Sequence, residues 1–248
     1  MYKLLDLFSG IGGFSLGLEA TKGFETYAFV ETDAFCQKVL KKHWPHIHCY
    51  SDINNVAVNR GDFDALCGGF PCQDVSLAAQ GNQQSLLGDR SGLWYQYLRL
   101  IEEGQPQWVI IENVEQLRNK GLGIILSQLA ALGYDAEWHV IGACHMGLPH
   151  VRQRLWVVAH HNSYRVEGYA PFPLQGLEGL SRGQNFRSFE DWLRESGYFG
   201  SGLCRTLSGI PNGMDRLKAL GNSIVPMIAY EIGCAILRYT EGVQDTNS

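Results

Sequence analysis

The chain has 248 residues, 45% of them hydrophobic and 18% charged, a composition that excludes a disordered or collagen-like protein and suffices for one large domain. Its net charge of −5 does not mark a nucleic-acid binder, yet residues 150–220 hold 9 Lys/Arg against 6 Asp/Glu, enough for a local basic patch. Seven scattered cysteines suit a reducing compartment, MYKLLDLFSG lacks the regions of a signal peptide, and no run reaches the roughly 18 apolar residues of a membrane span, so a soluble intracellular protein is expected.

In chain order, KLLDLF (3–8) is a short apolar run that ends at the glycine cluster SGIGG, the pattern of a buried strand followed by a turn. A helix fits 14–22 and a strand 25–30; DAFCQKVLKKHW then predicts a helix with Asp33 as its cap. Short strands are expected at 47–50 and 64–69. An amphipathic helix at 93–104 closes on Gly104, and the strand at 107–114 is apolar until Glu112. A helix at 122–132 closes on Gly133, strands fit 136–143 and 154–160, and a final helix fits 222–239. Strands alternating with helices predict an α/β domain whose mainly parallel sheet is covered on both faces. Residues 161–217, rich in Gly, Ser, Arg and aromatics, break that pattern and read as a small separate lobe or long ordered loops.

Four segments carry candidate chemistry. DLFSGIGGFSLGLE (6–19) places a glycine-rich turn between strand and helix, where a ligand approaches the backbone closely. Glu31 stands 19 residues past Gly12 at the end of the next strand, the position of a ribose-binding acid, and Asp52 follows the third strand, where an adenine edge would be read. This pattern leaves nicotinamide dinucleotide, flavin and S-adenosylmethionine open. In GGFPCQDVS (68–76), Pro71 stiffens a turn at the ligand-binding edge of the sheet, and Cys72 supplies a nucleophile. In IIENV (110–114), a carboxylate closes an apolar strand, surroundings that raise its pKa and suit a proton donor. In GLPHVRQRLWVVAH (147–160), Arg152 and Arg154 share one side of an extended segment and suit phosphate or base-edge binding. The three histidines and one cysteine of HWPHIHC (43–49) lack a second ligand pair, so no metal is expected.

Taken together and in this order, these motifs resemble the DNA (cytosine-5) methyltransferases, especially the small bacterial and phage enzymes. DLFSGIGG is similar to the family's cofactor motif, PCQ to its nucleophile motif and ENV to its glutamate motif. The Arg152/Arg154 segment is similar to its paired-arginine motif, and LKALGNSIVP (217–226) to its final motif, which folds back to the cofactor site. DRSGLWYQYLRLI (89–101) looks like the segment after the mobile catalytic loop, and the polar, glycine-containing stretch 73–90 suits a loop that closes over a flipped base.

The resemblance implies a Rossmann-like S-adenosylmethionine-dependent fold with a mixed, mostly parallel sheet. It divides the chain into a catalytic domain, 1–160 plus 218–248, and a short target-recognition lobe, 161–217. It implies S-adenosylmethionine as cofactor, with Glu31 on the ribose, Asp52 and Ile53 near the adenine, and Phe8, Gly10, Gly12, Leu93 and Asn222 lining the same pocket. Cys72 would attack cytosine C6, Glu112 would serve N3, Arg154 would hold the O2 side, and Arg152 would support the loop or the phosphates. Double-stranded DNA is the implied partner, alongside a cognate restriction endonuclease, in the cytoplasm of a bacterial or phage-infected cell. Two features depart from the family pattern: His150 stands where it has Gln, and the recognition region is short. An RNA-acting branch shares these motifs, and a catalytically weak DNA-binding homologue is the other alternative.

Overall fold

The computed structural model describes residues 1–71, 92–146, 152–164 and 223–245. One sheet of seven strands organises them: β1 (Tyr2–Leu7), β2 (Phe24–Val30), β3 (His48–Tyr50), β4 (Ala65–Gly68), β5 (Trp108–Val114), β6 (Tyr134–Gly142) and β7 (Gln153–His161). Their order is β3-β2-β1-β4-β5-β7-β6. The first five strands pair in parallel, whereas β7 is antiparallel to both β5 and β6. The helices are α1 (Gly13–Ala20), α2 (Ala34–His43), α3 (Gly92–Gly104), α4 (Leu117–Lys120), α5 (Leu122–Ala131) and α6 (Pro226–Asp245).

The near-continuous apolar strands follow from burial on both faces. Leu5, Leu7, Leu66, Val109, Ile111, Leu155 and Val157 pack on one side against Tyr97 and Leu100 of α3 and Ile125 and Leu129 of α5. Leu4, Ala65, Cys67, Trp108, Ile110, Trp156 and Val158 pack on the other against Phe14 and Leu18 of α1 and Ile228, Ile232 and Ile236 of α6. The result is the three-layer α/β arrangement that the alternating pattern predicts.

Local chemistry sets the helix ends. Asp33 caps α2, its Oδ1 accepting from the N–H groups of Phe35 at 2.9 Å and Cys36 at 3.2 Å. Gly133, at φ 85°, turns the chain out of α5 into β6. The last helix starts at Pro226 rather than at 222. Proline lacks an N–H, suits the first helical position and biases the residue before it toward extended backbone. The four-residue α4 is too short for apolar periodicity to reveal. β6 begins at Tyr134, two residues earlier than expected, and the Tyr134 hydroxyl donates to the Pro106 carbonyl at 2.7 Å. Among the described residues, no helix is long and apolar enough to cross a membrane.

Helices α1 and α6 meet through glycines. A Cβ on Gly17 would overlap the Pro226 carbonyl oxygen and lie 2.8 Å from the Ala229 Cβ. One on Gly233 would lie 2.9 Å from Thr21 Cγ2 and 3.0 Å from Leu18 Cδ2. Gly17→Ala is therefore an overpacking change that intrinsic helix propensity does not rescue. It should cost about 1–3 kcal/mol in urea-unfolding measurements, against the gain expected of Gly→Ala at an exposed helical position.

Candidate active site

Strand register brings the predicted residues to one edge of the sheet. Leu7 of β1 pairs with Val30 of β2 and Gly68 of β4, Val30 pairs with Tyr50 of β3, and Gly68 pairs with Ile111 of β5. The residues just beyond that row are Phe8–Gly12, Glu31, Asp52–Ile53, Gly69–Pro71 and Glu112. Because β7 is antiparallel, its beginning reaches the same edge: Trp156 pairs with Glu112 and Arg154 with Val114. This is the carboxyl end of the parallel strands, where open α/β sheets bind ligands.

The glycine turn is tightly specified. Phe8, Gly10 and Gly12 all have positive φ, at 53°, 55° and 86°. Phe8 is a non-glycine residue in a conformation that L side chains rarely adopt. Its ring stacks on Tyr97 of α3, with centroids 6.4 Å apart. A Cβ on Gly12 would lie 2.7 Å from the Trp44 indole, whose Nε1 donates to Glu19 at 2.9 Å. Among the described residues, a Cβ on Gly10 would meet nothing within 4 Å, so none of them closes the turn on that side. Beneath it, buried Asp6 accepts from the Ser15 N–H at 3.3 Å and the Ser15 hydroxyl at 2.8 Å, and burial pushes its carboxyl up to about 7.

Glu31 bridges two backbone segments. Its Oε2 accepts from the Gly10 N–H at 2.6 Å and its Oε1 from the Asp33 N–H at 2.7 Å. Asp52 lies one strand over and caps the 3-10 turn Ile53–Asn55, its Oδ1 accepting from the Asn54 N–H at 2.9 Å. Ile53 is buried in the apolar layer that Phe8, Tyr50 and Leu93 pack against. From the far end of the chain, Ser223 and Ile224 reach the start of α1: a Cβ on Gly13 would lie 2.8 Å from Ile224 Cγ1 and 3.0 Å from Ser223 Oγ. Asn222 itself lies outside the described residues, as do Cys72, His150 and the stretch 73–90.

Glu112 is the chemical centre of the described part. It is 8% exposed, and burial pushes its carboxyl up to about 7 against the opposing pull of Arg154 and Arg152. Arg154 Nε lies 3.0 Å from Glu112 Oε1. Burial, and then the Arg154 charge, hold the Arg152 guanidinium below its ordinary value, while Glu112 pulls it up. One protonatable carboxyl thus faces two guanidiniums. In the sequence the apolar run singles out Glu112 and the same-side spacing singles out the two arginines, each by itself; only the family resemblance puts them in one site.

Sequence reasoning missed the residues that hold the group in place. A Cβ on Gly69 would lie 2.8 Å from Glu112 Oε2, so only glycine leaves room for the carboxylate there. The Asn113 side chain donates to the Phe70 carbonyl at 2.9 Å and its oxygen accepts from the Val114 N–H at 2.9 Å. This fixes the backbone two residues before Cys72. Asn113 adjoins Glu112 in ENV, but only the fold shows that it reaches the turn after β4. Asp6–Ser15 and Trp44 are tertiary pairings of the same kind. Among the described residues, no group of three or more His, Cys, Asp or Glu side chains is placed to hold a metal ion.

The family model for C-5 cytosine-specific DNA methylases matches residues 2–192. Among curated proteins, the Type II methyltransferase M2.BsuMI of Bacillus subtilis is 37% identical over 165 residues, covering 63% of this chain and 41% of that protein. The Type II methyltransferase M.NgoBI of Neisseria gonorrhoeae is 32% identical over 185 residues, covering 73% and 56%. The chain spans about half the length of the curated relatives it matches. Among solved structures, the Entamoeba histolytica methyltransferase EhMeth has the same fold, with a TM-score of 0.62 over 96% of this chain and 97% of that one at 16% identity. With a match over most of its length, the chain belongs to the C-5 cytosine-specific DNA methylase family.

Proposed function

We propose that this chain transfers a methyl group from S-adenosylmethionine to C5 of a flipped-out cytosine in double-stranded DNA, through a covalent bond between Cys72 and C6. The observation that carries this reading is Glu112: a buried carboxyl with a pKa of about 7, flanked by Arg154 and Arg152, at the sheet edge where the Gly69–Pro71 turn leads to Cys72. The residues fit the cofactor. Each Glu31 oxygen accepts one backbone N–H and keeps a lone pair for a ribose hydroxyl, and among the described residues the glycine turn is open beside Gly10. Asp52 and Ile53 then stand near the adenine, and Phe8, Leu93 and Asn222 line the same pocket. When bound, the cofactor supplies an electrophilic methyl group.

The chain's own residues do the rest. The Cys72 thiolate adds to C6, and the ring electrons that this displaces make C5 nucleophilic. Glu112, protonated near neutral pH, holds its proton at N3 and offsets the charge that the addition generates. Arg154 fixes Glu112 and presents its remaining donors to the O2 side, while Arg152 supports the loop or the phosphates. After C5 has gained the methyl group, a base takes the C5 proton, the C6–S bond breaks and Cys72 leaves as thiolate. A base within a duplex does not reach the thiol, so flipping, at a few kcal/mol, precedes these steps. Residues 161–217 form the target-recognition lobe, with arginines on phosphates and a major-groove edge. A cognate restriction endonuclease and the bacterial cytoplasm complete the setting.

Transfer of labelled methyl to mixed-sequence duplex DNA tests this directly. Label on cytosine C5 that Cys72→Ala abolishes is the expected result. Label on an RNA control instead would replace the substrate. Cofactor and DNA binding without transfer to either would leave a catalytically inactive DNA-binding homologue.

Glu112→Gln should lower kcat by about 10²–10⁴. The acid form of Glu112 disappears as pH rises through about 7, so wild-type kcat should fall on that alkaline limb and the Gln variant should lack it. The raised pKa also governs stability: Glu112's contribution is complete below the ordinary value of 4.5 and is lost as pH rises through about 7. Arg154→Met removes the opposing charge and pushes that pKa further up. Its loss of Tm relative to wild type should therefore be larger at pH 8 than at pH 6.

A further inference from the structure

Arg99 lies on α3, the helix that carries Leu93, and is not itself among the predicted site residues. Its Nη2 donates to two main-chain carbonyls, Ile53 at 3.2 Å and Val56 at 3.1 Å. These belong to the turn that Asp52 caps after β3. The rest of the guanidinium is held from its own helix. Nε donates to Gln96 Oε1 at 2.7 Å, and Nη1 pairs with Glu103 Oε2 at 2.8 Å. A planar cation braced on two sides has little rotational freedom left, so its third side is aimed at the turn. Both carbonyls lie in the 3-10 turn and its C-terminal cap, beyond the end of the β2–β3 ladder. The Val56 N–H donates back to the Ile53 carbonyl at 3.3 Å, so one Ile53 oxygen carries both the turn's own bond and the clamp. The same helix carries Leu93, which packs on the apolar layer containing Ile53.

We propose that Arg99 is a positioning residue for the adenine end of the cofactor site. It clamps the 53–56 turn to α3 and thereby holds Asp52 and Ile53 in register with Leu93. The inference rests on the reading of Asp52, Ile53 and Leu93 as the wall of that site. Because Arg99 acts through the turn and touches no ligand, its loss weakens cofactor binding without slowing transfer once the site is filled.

The test is a double-mutant cycle of Arg99→Met with Asp52→Ala, read by calorimetry with S-adenosylhomocysteine and 5′-methylthioadenosine and by steady-state kinetics. Arg99→Met should weaken both ligands roughly ten-fold and raise KM for S-adenosylmethionine to match, with kcat and KM for DNA within about two-fold of wild type. In the Asp52→Ala background the same change should add little, because the wall it positions has already lost its carboxylate. Arg99→Lys, which keeps a positive charge and hydrogen-bond donors on a stem of similar reach, should recover part of the loss. Loss of affinity for S-adenosylhomocysteine with 5′-methylthioadenosine binding intact would overturn the proposal, since the effect would then lie at the amino-acid end. Additive effects in the cycle, or a fall in kcat equal to the rise in KM, would overturn it too. If Asp52→Ala and Glu31→Ala weaken binding while Arg99→Met does not, Arg99 alone loses its role. If neither acidic substitution matters, the reading of the site fails, and this inference with it.

Discussion

A carboxyl group buried at the end of β5 is the constraint around which the described part of the site is arranged. Burying Glu112 is unfavourable for its ionised form, and the protein answers with two guanidiniums, Arg154 in β7 and Arg152 just before it. That answer requires β7 to run antiparallel to β5, because only then does its beginning, with Arg154 and the preceding Arg152, reach the end of β5. It also requires Gly69 opposite the carboxylate, where a side chain would displace it. The neighbouring Asn113 ties the strand end to the Phe70 carbonyl, so the turn toward Cys72 moves with β5. The direction of one strand, one glycine and one amide thus follow from where a single carboxyl sits.

How much of this is legible in the sequence depends on how local the determinant is. The glycine turn, the Asp33 cap, the Gly133 exit and the carboxylate ending an apolar strand are all stated by a few adjacent residues. The direction of β7 is not, since an apolar run reads alike whichever way it pairs. Pro226 had its own signal, and the helix expected from 222 begins where that proline allows. Asn113, Trp44, Asp6 with Ser15, and Arg99 make their contacts across 43, 25, 9 and 46 or 43 residues of chain. Each type of residue reads as ordinary in its own window. Only the fold reveals that these side chains hold turns rather than fill or cover the core.

The proposed cofactor side of the edge is ordered by a different means. Glu31 spends one lone pair of each oxygen on backbone N–H groups, from Gly10 and from Asp33. Two charge-assisted bonds fix both the rotamer of the carboxylate and the separation of the glycine turn from the end of β2. On the proposed reading, a ribose then meets acceptors already in place, and little conformational freedom is lost on binding. Phe8 contributes in the same way, its positive φ sustained by stacking on Tyr97, a residue whose hydroxyl donates to the Ile110 carbonyl of β5 at 3.1 Å. Through Tyr97, the strained turn at the proposed cofactor site and the strand that carries Glu112 rest on one buried ring of α3. The two halves of the edge are held by a common helix, so a disturbance of α3 reaches both.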